Sequence, residues 1–187
     1  VDSVESAPAD SFPSHIFPEK YSTAWLYNAL AQQWEEWLPG FNISASVQYR
    51  ASYALRAFPG LRIISLNTQY GDAANFWMYL NSTDPDGTMS WLVEQLVEAE
   101  KAGDSVHIIG HMPPMRDDVL LDWSRNYYAI VNRFESTIRG QFFGHTHNDH
   151  YTVFVETERA GGRPTSIAYI SPSVTTFSNL RPSYRIY

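Results

Sequence analysis

HIIGHMPP (107–114) and QFFGHTHNDH (141–150) share one grammar: a short apolar run ends in Gly-His, and a turn follows. Each run is too short for an ordinary helix and too apolar for a loop, so each reads as a buried strand that delivers an imidazole at its carboxyl end. A glycine there lets the chain turn sharply and lets another group approach closely. In α/β sheets the space beyond the carboxyl ends of the strands is where ligands gather. The chain has only six histidines, and three of them fall within 145–150.

Outward from these two runs, strands alternate with helices and then follow one another. SYAL (52–55) and GLRIISLN (60–67) read as strands joined by a Pro-Gly turn. TAWLYNALAQQWEEWL (23–38) has helical spacing, with Ser22 as a candidate cap and Pro39-Gly40 as a stop. Its three Trp are expected to anchor a core, since Trp34 and Trp37 lie one turn apart. NFWMYL (75–80) reads as a short helix or turn and STDPDG (82–87) as a loop. The stretch 87–103 predicts a long helix ending at Gly103, and WSRNYYAIVNRFESTI (123–138) predicts another. YTVFVE (151–156) and SIAYISPS (166–173) predict further strands. The expected fold class is α/β, part of a layered β-sandwich flanked by helices, with residues 1–20 an extended arm and 21–187 the folded part.

Composition narrows the chemistry. A formal charge of −7 spread along 187 residues gives no footprint for a nucleic-acid backbone, so no nucleic-acid partner is expected. No apolar run approaches the roughly twenty residues needed to span a bilayer. The absence of Cys excludes thiolate ligands and disulfides within the chain. Imidazoles and carboxylates remain, the donors that suit zinc or another divalent ion. His107, which alternates with apolar neighbours, and His15 and His150, which sit beside turn residues, read as structural. His111, His145 and His147 together read as metal ligands.

GHMPP and GHTHND, with PGLRIISLN (59–67), NFWMYLNSTDPDG (75–87), WLVEQL (91–96), WSRNYYAIVNRFE (123–135) and ISPSVTTFSNLRPSYRIY (170–187), resemble in order the acid sphingomyelinase branch of the calcineurin-like metallophosphoesterases. The resemblance runs from about Phe12 to Tyr187 and covers the C-terminal half of that catalytic domain. It implies hydrolysis of sphingomyelin to ceramide and phosphocholine at a site holding two zinc ions. His111 and His145 would ligate one ion and His147 the other. Related enzymes of the same fold act on nucleotides or other small phosphodiesters, and a non-catalytic scaffold is the third alternative.

The family's remaining ligands come from Asp-x-His, Gly-Asp and Gly-Asn-His-Glu motifs N-terminal to the matched region. The expected partner is therefore an N-terminal half of the same domain, cleaved from this chain or lying outside the stretch at hand, and the chain alone is expected to be inactive. Phospholipid at a membrane surface is the expected substrate, with Phe177 beside the headgroup. The resemblance also implies a secreted protein or one of the lysosomal or vacuolar lumen. That context favours glycans at the sequons of Asn81 and Asn42. Branch members join the segment after the ISLN strand to the loop after GHMPP by a disulfide. Here those regions lack Cys, and packing of Trp123 and Leu121 is expected in its place.

Overall fold

A computed structural model describes residues 24–75, 78, 84, 87–156 and 161–187. The N-terminal arm, His15, Asn81 and most of NFWMYL and STDPDG lie outside the described residues. Among the described residues four α-helices, α1 (Ala24–Trp37), α2 (Ser44–Arg50), α3 (Thr88–Ala102) and α4 (Leu121–Arg133), accompany six strands. These are β1 (Tyr53–Phe58), β2 (Leu61–Leu66), β3 (Ser105–Gly110), β4 (Ile138–Phe143), β5 (His150–Val155) and β6 (Pro164–Ile170).

All six strands form one mixed sheet in the order β1-β2-β3-β4-β6-β5. The inner four, β2, β3, β4 and β6, run parallel, while β1 and β5 pair antiparallel at the edges. Parallel neighbours need long crossovers: α3 provides the one from β2 to β3 and α4 the one from β3 to β4, while β5 lies in the connection from β4 to β6. The carboxyl ends of β2, β3, β4 and β6 thus open onto one rim.

Period-two burial decides which face is the core. Ile64, Leu66, Val106, Ile108, Phe143, Ala168 and Ile170 are buried together with Leu92, Leu96 and Ala99 of α3 and with Tyr127 and Val131 of α4. The alternating residues His107, Phe142 and Tyr169 form a half-buried aromatic ladder on the opposite face. His107 meets Phe142 edge-on at 5.4 Å, Phe142 stacks on Tyr169 at 5.8 Å, and Tyr187 closes the row at 4.8 Å from Phe142. α3 ends where the sequence indicates, on Gly103 at φ +70°, whose N–H caps Ala99 and Glu100. One polar chain crosses the core: the Tyr127 hydroxyl donates to Gln141 Oε1 at 2.7 Å, and Gln141 Nε2 donates to Ser166 Oγ at 2.9 Å.

Three sequence expectations change. The buried stripe of α1 runs through Tyr27, Ala31 and Trp34 to Leu38, so Trp34 packs against Tyr53 while Trp25 and Trp37 are exposed. Residues 44–50 form a short helix that their pattern does not announce, with Ile43 and Val47 buried against Ala31. Leu121 is 52% exposed, whereas Trp123 is buried as expected. Trp123 lies against Gly71, where an added Cβ would come within 2.6 Å of the indole. Beside that contact the two Cys-less segments are joined by backbone. Leu120 N–H donates to Gly71 at 2.7 Å, Ala73 N–H donates to Asp118 at 2.9 Å, and Asp72 pairs with Val119.

Candidate metal centre

His111 directly follows β3, and His145 lies two residues past the end of β4, its parallel neighbour. A Cβ on Gly110 would sit 3.0 Å from both Phe143 and Thr68, and one on Gly144 would face His111 at 3.7 Å. Bare backbone at Gly110 lets Phe143 at the end of β4 and Thr68 pack against the end of β3, whereas the Gly144 distance is an ordinary contact. Gly144 N–H donates to the His111 carbonyl at 3.0 Å, and Met112 N–H donates to the buried Thr68 hydroxyl at 2.8 Å.

The result is a pair of imidazoles at 5.2 Å between ring centres and 80° between planes, with His145 Nδ1 3.4 Å from His111 Nε2. That separation is long for a hydrogen bond. Two nitrogens bound to one tetrahedral zinc at about 2.0–2.1 Å stand about 3.4 Å apart. The pair therefore has the bite of two ligands to a single ion.

The other nitrogen of His145 is committed. Nε2 lies 2.7 Å from Asp118 Oδ2, in the loop after GHMPP. An ionised carboxylate only accepts, so Nε2 donates, and whenever the ring is neutral the lone pair lies on Nδ1. Burial pushes the Asp118 carboxyl up, but the hydrogen bond and charge of His145, aided by its own backbone and by Arg116, leave it below its ordinary value. Sequence reasoning missed Asp118. The signal was there in kind, since a metal-ligating His ordinarily gives its second N–H to a carboxylate or carbonyl.

His147 turns elsewhere. Its ring meets Phe177 edge-on at 6.1 Å, and it lines a cleft of about 470 Å³ with Asn148, Asp149, Pro172, Arg181 and Tyr184. His145 at φ +74° and His147 at φ +60° both occupy the left-handed region, which costs a non-glycine residue and is tolerated where surroundings impose it. Among the described residues no group of three or more His, Asp or Glu converges on one point. Asp118 approaches the far nitrogen of His145 and so cannot share an ion with His111. His150 bonds the Thr146 hydroxyl at 2.9 Å, and His107 belongs to the aromatic ladder. Asn42 is exposed ahead of α2, as a glycan acceptor must be.

Comparison with known proteins adds an independent line. No family model matches the chain. A human sphingomyelin phosphodiesterase is 48% identical over 183 residues, which cover 98% of this chain and 28% of that protein. Sphingomyelin phosphodiesterase 2 of Caenorhabditis elegans is 45% identical over 186 residues, covering 98% of this chain and 30% of that protein. The chain thus spans less than a third of the length of these relatives. A dimetal phosphatase from Danio rerio shares 12% identity, with a TM-score of 0.47 over 67% of this chain and 50% of that one.

Proposed function

From a chain homologous to sphingomyelin phosphodiesterases at 42–48% identity over nearly its whole length, we propose that it forms part of the two-metal site of a zinc-dependent phosphodiesterase that cleaves sphingomyelin to ceramide and phosphocholine. The observation that carries this reading is the 3.4 Å approach of His111 Nε2 and His145 Nδ1. These residues would hold one ion, and His147, turned toward the cleft, would serve the other. Zinc pairs of this kind supply a Lewis-acid clamp for phosphoryl oxygens and water activated for in-line attack.

The chain's own residues do the rest. His111 and His145 present neutral imidazole nitrogens from rigid strand ends, which fixes the site more tightly than a loop would. Phe177, 69% exposed and edge-on to His147, offers a ring face that attracts a quaternary ammonium, so the choline end of the headgroup would lie on that side. The remaining ligands come from an N-terminal part of the same catalytic domain. Phospholipid at a membrane surface is the substrate. The protein works outside the cell or in the lysosomal or vacuolar lumen, with glycans on Asn42 and Asn81.

The intact enzyme carrying this segment tests the reading. His145→Ala should abolish release of phosphocholine from sphingomyelin micelles and lower the zinc content. An unchanged rate would remove the metal role. A wild-type enzyme that prefers a nucleotide phosphodiester over sphingomyelin would end the substrate assignment while leaving the metal site standing.

A further inference from the structure

We infer that Asp118 is a positioning residue for the metal centre: its carboxylate holds the His145 imidazole so that Nδ1, and not Nε2, faces the ion. The inference rests on the metal reading above and deepens it. Neutral histidine has two tautomers, and only the one protonated on Nε2 can bind a metal through Nδ1. The 2.7 Å contact of Nε2 with Asp118 Oδ2 selects that tautomer, while Nδ1 stands 3.4 Å from His111 Nε2. The same contact fixes the tilt of the ring and raises the basicity of the ligating nitrogen.

The geometry also says why Asp118 is not itself a ligand to that ion. It touches the nitrogen on the opposite side of the ring from His111, so the ring lies between carboxylate and metal. The carboxylate is 52% exposed while the imidazole is 15% exposed, so the charge stays hydrated and the ligand stays sheltered.

Asp118 is held for this task by its backbone. Its carbonyl accepts from Ala73 N–H at 2.9 Å, and the next residues pair with Asp72 and Gly71. Met115 N–H donates to the buried Ser124 hydroxyl at 2.9 Å, which ties the start of the same loop to α4. The loop between the two histidine motifs is thereby a bracket that carries one carboxylate to one nitrogen.

The test measures inorganic Zn²⁺ affinity by chelator competition in the intact enzyme, beside the ¹⁵N signature of the His145 ring in the metal-free form. Asp118→Ala should weaken zinc binding by about 10–100-fold and release the ring to a mixture of tautomers. Asp118→Asn, which keeps an accepting oxygen without the charge, should hold the tautomer and recover part of the affinity. Asp122→Asn, an exposed acid at the start of α4, should match wild type. Wild-type zinc affinity in Asp118→Ala, or an unchanged tautomer there, overturns the inference and spares the metal reading. Should Asp118→Ala fail to fold, the isosteric Asp118→Asn decides: unchanged affinity there overturns it. A wild-type enzyme that binds no zinc overturns both.

Discussion

Gly71→Ala tests the backbone bracket next to the candidate site. The new Cβ would lie 2.6 Å from Trp123 Cδ2, 2.9 Å from Cε3 and 3.0 Å from Cγ. Carbon atoms are comfortable at about 3.5–4.0 Å, so the shortfall approaches 1 Å against the rigid middle of an indole. Gly71 does not occupy the left-handed region, so the obstacle is space alone. Trp123 has little room to retreat, because it stacks on Tyr127 at 5.5 Å and 7°, and Tyr127 is tied to Gln141. The alternative is for residues 71–73 to lift away from 118–120, giving up the bonds from Leu120 and Ala73. Overpacking costs about 1–3 kcal/mol, and each lost hydrogen bond adds about 0.5–1.5 kcal/mol. Urea unfolding followed by circular dichroism should show Gly71→Ala destabilised by about 2–6 kcal/mol on these terms. In a Trp123→Leu background the same substitution should cost almost nothing, so the coupling should be about as large as the single-mutant cost itself. A wild-type urea midpoint for Gly71→Ala, or an undiminished penalty in the Trp123→Leu background, would refute the reasoning.

Two further outcomes follow from buried chemistry and strained backbone. Burial pushes the Tyr127 phenol above its ordinary value of 10.0, so above that pH the unfolded chain releases a proton that the folded protein keeps, and stability falls as pH rises. Tyr127→Phe should flatten this alkaline decline while costing about 1–3 kcal/mol at neutral pH through the unpartnered Gln141 oxygen; an alkaline slope equal to wild type in urea titrations at several pH values would contradict it. At His147, where φ is +60°, the Gly variant should exceed the Ala variant in stability by about 1–2 kcal/mol, since both remove the imidazole and only one relieves the left-handed backbone. Equal thermal midpoints for the pair would show that the turn is not strained there.

The legible parts of this chain are those whose cause is local. The apolar run 60–67, bounded by Pro-Gly, could only be a buried strand, and the 3.6-residue spacing of Leu92, Leu96 and Ala99 with Gly103 behind it could only be a capped helix. GHMPP and GHTH announced their histidines because a strand followed by Gly-His is a short-range signature. Trp37 was misread for a reason of phase: one residue along, Leu38 continues the stripe through Trp34, and a 100° step per residue sends Trp37 to solvent. α2 has seven residues and no cap from its own side chains, so its helicity comes from burial of Ile43 and Val47 against α1, a tertiary fact. Asp118 is the sharpest case. Its partner His145 is 27 residues away, and the approach depends on the Asp72–Val119 pairing, on bare backbone at Gly71 and on two parallel strands ending level. Sequence shows which groups can bind a metal; which of a histidine's two nitrogens does so is decided by what the fold brings to the other one. The most local signal in the chain and its least local contact therefore meet on a single imidazole, His145, and the candidate ligand cannot be described without the loop that aims it.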